Sequence, residues 1–198
     1  KAWVPWFYEN MKEKNYDDIR LKIKYYIALF SVMGFVLIFI SPEIGKLMGS
    51  SDFYGGLNYV PLIMVGYYFQ FLYSIPANLE FYTKNTKLLS LGTLIAALTN
   101  VVLNYIMIPR YGAVAATWTT IIAYVILFLY HYFISLRIFD VRIYTFKPFA
   151  YGIISIVLSS VMFYIVKNNL ILRYGILIII LVILGYQIKK ISKRLMQK

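Results

Sequence analysis

Six apolar runs follow one another along this chain, most of them close to the length that a lipid bilayer demands. They cover Tyr25 to Ile40, Leu57 to Tyr82, Leu88 to Ile108, Ala113 to Ile138, Phe146 to Val166 and Ile171 to Ile188. A hydrocarbon core about 30 Å thick needs roughly 20 helical residues. Ser41-Pro42 closes the first run, with a short interfacial continuation to Met48. Pro109-Arg110-Tyr111-Gly112 closes the third, and Phe146-Lys147-Pro148 opens the fifth with proline in a favoured first-turn position. Charged residues make up 14% of the chain, against about a quarter in a soluble domain. A soluble fold of this size could not hide so much apolar surface. The sequence therefore predicts an all-α integral membrane protein with about six transmembrane helices.

Lysine and arginine in the connections set the expected orientation. Lys1, Lys12, Lys14, Arg20, Lys22 and Lys24 precede the first run; Lys84 and Lys87 follow the second. Arg137, Arg142 and Lys147 separate the fourth and fifth, and Lys189, Lys190, Lys193, Arg194 and Lys198 form the tail. These account for sixteen of the 20 basic residues, and all fall on one side if six helices alternate. Only Lys46, Arg110, Lys167 and Arg173 fall on the other. Both ends of the segment are thus expected in the cytoplasm. The formal net charge of +12 could point to nucleic acid, and the basic tail to nucleic acid or lipid headgroups. Their place beside apolar runs favours a topology determinant instead, with the bilayer as partner and no nucleic acid.

The chemistry available within the runs is sparse. No cysteine is present, which excludes disulfides, cysteine-ligated metals and thiol nucleophiles. His131 is the single histidine and cannot hold zinc without cysteine or nearby acids; it reads as an interfacial residue among tyrosine rings. Glu80 lies late in the second run beside Thr83-Lys84-Asn85, where it is expected to pair at the cytoplasmic interface. Paired carboxylates, Ser/His/Asp sets and glycine-rich phosphate loops are missing, so an enzyme is not expected, nor a cofactor or a metal. Pro76 interrupts the second run and should bend it.

The third run carries a stripe of small and polar residues, Gly92, Ala96, Asn100 and Asn104, recurring every four positions. An unpaired amide in hydrocarbon costs several kcal/mol, so the stripe must face protein or a water-filled cavity. Ala113, Ala116, Thr117, Thr120 and Tyr124 make a matching stripe on the fourth run. The very short connection between the two predicts antiparallel neighbours. Packing of one helix on the other and the lining of a translocation cavity both remain open, and can hold at different depths.

These same residues carry a resemblance. Asn100 and Asn104 stand ahead of Ile108-Pro109, a short turn with Gly112 and an alanine-rich next helix, a pattern that resembles the polysaccharide flippases. Ser41-Pro42-Glu43-Ile44, then Phe53-Tyr54-Gly55-Gly56-Leu57 and Val60-Pro61-Leu62, resembles that family's periplasmic connection. Trp3-Val4-Pro5-Trp6-Phe7-Tyr8, then Lys14-Asn15-Tyr16, looks like the end of its eighth helix and the cytoplasmic segment after it. Ala115 departs from the pattern where glycine is more usual. The resemblance implies the multidrug/oligosaccharidyl-lipid/polysaccharide exporter superfamily, with residues 1–24 a cytoplasmic segment after an upstream helix. Residues 25–138 would be the last four helices of the second lobe of a MATE-like fold, 139–188 two terminal helices, and 189–198 a basic cytoplasmic tail. Lys1-Ala2-Trp3-Val4-Pro5 fits the interior of a longer chain.

The implied activity is movement of an undecaprenyl-diphosphate-linked oligosaccharide across the bacterial inner membrane for surface polysaccharide assembly, with other polysaccharide-assembly membrane proteins as expected partners. A flippase needs a polar cavity open to the bilayer and cations for the phosphates. The candidate substrate-binding residues are Arg20 and Lys24, four apart at the start of the first helix, with Asn100 and Asn104. A cation-coupled multidrug exporter of the same superfamily is the alternative, and would want carboxylates deep in its helices. A membrane enzyme of envelope assembly would need catalytic groups in a long loop, and a self-contained six-helix channel would need a true start at residue 1.

Overall fold

The computed structural model describes residues 3–138 and 143–196, and of Phe53 and residues 187–196 the backbone only. Among the described residues all regular structure is helical: α1 (Trp3–Lys12), α2 (Tyr16–Met48), a 3-10 segment (Ser51–Tyr59), α3 (Val60–Tyr82), α4 (Thr86–Tyr111), α5 (Ala113–Ile138), α6 (Phe146–Val166) and α7 (Leu170–Met196). Five helices, α2 to α6, are long and apolar enough to cross a membrane, and α7 adds a shorter apolar stretch, Leu170–Tyr186. This is an all-α, multi-pass membrane protein. Of the charges that set the expected orientation, Lys1, Arg142 and Lys198 lie outside the described residues.

Helices α5 and α6 begin and end where the apolar pattern places them. Helix α2 does not: it starts nine residues before the apolar run and passes through Pro42. Its 33 residues span about 50 Å at 1.5 Å each, so its charged first turns, with Asp17, Asp18, Arg20, Lys22 and Lys24, project beyond an apolar core. Proline at 42 cannot donate to the Ile38 carbonyl. The Ser41 hydroxyl donates to that carbonyl instead, at 2.9 Å, which is how the helix survives the sequence signal that should have closed it. Helix α4 likewise continues through Pro109 and stops at Gly112, whose φ of 61° and ψ of −143° suit glycine alone. Its N–H caps the Ile108 carbonyl at 2.8 Å, and α5 starts at the next residue. Helix α3 runs unbroken past Pro76.

Two turns on one end of the bundle share a design. Lys14 and Lys84 adopt φ of 60° and 59°. The following asparagines, Asn15 and Asn85, send their backbone N–H back to the Asn10 and Glu80 carbonyls at 2.9 and 2.8 Å. Both turns thus close a helix by the left-handed cap geometry usually given to glycine. They lie at the end where α2, α4 and α6 start and α3 and α5 finish, together with Arg20, Lys24, Lys87, Arg137 and Lys147. We call it the basic end.

Helix α3 packs on α5, α2 and α6, while α4 leans on α5, and α7 on α2 and α6. Phe35, Ile38 and Phe39 of α2 share a continuous core with Leu72, Ile75 and Leu79 of α3, Phe128 of α5 and Phe149, Ile156 and Phe163 of α6. The outward faces are equally apolar. Leu29, Met33 and Leu37 of α2, Leu98, Val101 and Val102 of α4 and Ile154, Leu158 and Val161 of α6 are all exposed. Rows of exposed branched side chains on both sides of a bundle are a liability in water and an asset in hydrocarbon.

Candidate functional site

A cavity of about 1150 Å³ opens between α2, the end of α5 and the start of α6. Lys24, Ile27, Ala28 and Ser31 recur every three or four residues and so put one face of α2 on it. Across from them Lys147, Tyr151 and Ser155 of α6 do the same, and Tyr144 and Thr145 of the connection close the basic end. Two ammonium groups from two helices therefore border one space whose walls alternate hydroxyls with aliphatic carbon, and among the described residues no carboxylate lines it.

Several of these hydroxyls are fixed by the bundle. Ser31 and Tyr68 of α3 share a hydrogen bond of 2.6 Å, tying the α2 wall to the core. Tyr144 donates to the Ile75 carbonyl of α3 at 3.1 Å. Burial, with the Glu80 carboxylate adding to it, pushes the Tyr144 phenol above its ordinary value of 10.0, so the group stays a donor at physiological pH. Lys24 and Lys147 are exposed, and both can swing toward a bound anion.

Of the four residues expected to bind substrate, the structure puts one on this cavity, Lys24. Arg20 lies one turn earlier on α2 and bonds Asp17 of its own helix at 2.7 Å; it does not line the space. Asn100 and Asn104 do not line it either. The Asn104 amide donates to the Asn100 side-chain oxygen at 3.0 Å and its own oxygen accepts from the buried Thr119 hydroxyl of α5. This is a hydrogen-bonded seam between α4 and α5, of the kind that holds membrane helices together. Lys147 was read from the sequence only as a topology charge. Its role at the cavity depends on α6 lying against α2, a contact between helices more than 100 residues apart that periodicity within either helix cannot reveal.

Glu80 and His131 correct the sequence reading more sharply. Both side chains are fully buried in the bundle, and the Glu80 Oε1 lies 2.6 Å from the His131 Nδ1. Lys84, in the neighbouring turn, sits in the left-handed position and is exposed. The Tyr130 ring lies 5.2 Å from the imidazole, and Tyr73 of α3 adds a second ring at 5.4 Å. At the opposite end Arg173 of α7, 2% exposed, pairs with Glu43 of α2. No group of three or more His, Cys, Asp or Glu side chains that could hold a metal occurs among the described residues. The chain matches no protein-family model, no curated protein and no solved structure.

Proposed function

We propose that this chain is part of a transporter that moves an anionic, lipid-linked oligosaccharide across the bacterial cytoplasmic membrane, and that it acts without making or breaking bonds. The observation that carries the reading is the cavity flanked by Lys24 and Lys147. A diphosphate requires fixed or nearby cations, a sugar requires hydroxyl partners, and a polyprenyl chain requires apolar wall. The space supplies all three, and the lack of carboxylates among its described lining residues favours an anion over the cationic drugs of a multidrug exporter. The sequence resemblance to polysaccharide flippases of a MATE-like fold points the same way, as does the charge asymmetry that would put the basic end in the cytoplasm, where such a substrate is made.

The test neutralises Lys24 and Lys147 to Gln together in the full-length protein, in a strain lacking the native copy. Each charge-assisted hydrogen bond to phosphate is worth about 1.5–3 kcal/mol, so glycan export should fall at least roughly tenfold with protein level and topology intact. Arg20→Gln, off the cavity and paired to Asp17, should leave export near normal. Undiminished export in the double variant would remove the cavity as the docking site.

A further inference from the structure

Between α3 and α5, with Tyr144 of the cavity wall near it, the bundle encloses a titratable pair. From it we infer a second site: the Glu80–His131 pair is a proton-binding site inside the helix bundle, covered by α4 at Gly92.

Three buried polar atoms around this one contact have no hydrogen-bond partner among the described residues: Glu80 Oε2, His131 Nε2 and the Tyr130 hydroxyl. A histidine kept only for structure normally satisfies both ring nitrogens. Here Nδ1 is satisfied by Glu80 and Nε2 is left facing α4, where a Cβ at position 92 would stand 2.9 Å from it and run into the Tyr130 ring. Glycine at 92 is therefore what lets α4 close over the pair. Gly92 and Ala96 are the only buried residues of α4 among the described ones, so the cover rests on few core contacts.

The proton count gives the site its chemistry. With one proton between Oε1 and Nδ1 and another on Nε2, the pair is electrically neutral, whichever of the two atoms holds the shared proton. Release of the Nε2 proton leaves a carboxylate bonded to a neutral imidazole, with net charge −1. The two states differ by one proton and one buried charge, and the titrations of the two residues are a property of the pair. The groups facing it are Tyr73 from α3, Tyr130 from α5 and Tyr144 from the α5–α6 connection, with Gly92 from α4. Among the described residues none of these groups brings a formal charge, so a proton can balance the carboxylate.

The protein has one histidine, so ¹⁵N-histidine labelling in lipid vesicles reports the two nitrogens of His131 alone. The expected result is a single transition at Nε2 between protonated and unprotonated forms across the pH range in which the protein stays folded. Glu80→Gln, which keeps the shape but cannot ionise, should displace that midpoint by at least about one pH unit. An imidazole that stays in one state across the range in the native protein would make the pair a fixed hydrogen bond and overturn the inference. An unmoved midpoint in Glu80→Gln would overturn it as well, by removing the carboxylate from the site. Both readouts are independent of glycan export, so the transport reading and this one stand or fall separately.

Discussion

Arg173 and Glu43 are partners of unequal exposure, and the inequality decides what each contributes. The guanidinium is 2% exposed, whereas the Glu43 side chain is 41% exposed. Removing the glutamate strands a buried cation; removing the arginine leaves a carboxylate that water can reach. Breaking a buried pair from one side costs about 3–5 kcal/mol, and the wet partner pulls this toward the lower end. Glu43→Gln should thus destabilise the protein by about 2–3 kcal/mol, while Arg173→Met, which fills similar space with apolar atoms, should cost about 1 kcal/mol or less. Detergent-titrated unfolding of both variants checks the order, and a larger loss in Arg173→Met would refute it. Tyr144 presents a smaller case. Its hydroxyl bonds a carbonyl within α3, where the helix ladder already offers a donor, so Tyr144→Phe should cost only about 0.5–1.5 kcal/mol. Because burial raises its phenol above 10.0, the native contribution is full below that value and fades only as pH climbs through the raised one.

At the scale of the element, α4 is the helix whose sequence said most about its surroundings. The four-residue recurrence of Gly92, Ala96, Asn100 and Asn104 marks the side that meets α5. Val102 and Ile106, half a turn away, are 54% and 51% exposed. Cysteines at 102 and 106 should react readily with lipid-phase probes, and cysteines at 100 and 104 several-fold more slowly; equal labelling would contradict the seam. The helices themselves were legible because an apolar run in lipid has one regular backbone solution. Their ends were less so. Pro42 and Pro109 read as stops, yet a neighbouring serine hydroxyl replaces the missing donor at Pro42, and Gly112 supplies the real stop three residues beyond Pro109. Glu80 and His131 each stand out in the sequence, but their pairing does not. The partners lie 51 positions apart on two helices, and each taken alone fits a polar interface. The cavity was half legible for the same reason: Lys24 could be singled out on its own helix, whereas Lys147 acquires its place only through the packing of α6 on α2.

For the whole molecule, the helices α2 to α7 alternate in direction, and that alternation gives the charge asymmetry its meaning. Lysine and arginine beside a span resist translocation, and the bias over short connections sets orientation. The basic end gathers Arg20, Lys24, Lys84, Lys87, Arg137 and Lys147, while the other end holds Lys46, Arg110, Lys167 and Arg173. Arg173 is moreover buried against Glu43, which leaves even less free cation there. The cavity and its two lysines open at the basic end, so orientation bears directly on which leaflet the substrate would leave. Reporter fusions after Lys87 should read cytoplasmic, and fusions after Gly112 or Asn169 periplasmic. The connection at Gly112 is a single residue, too short to hide a re-entrant segment, so that fusion is the most exacting of the three. A cytoplasmic signal there, with the protein at normal level, would invert the bundle. The lysine-flanked cavity would then face the periplasm, and the proposed direction of transport would have to be reversed.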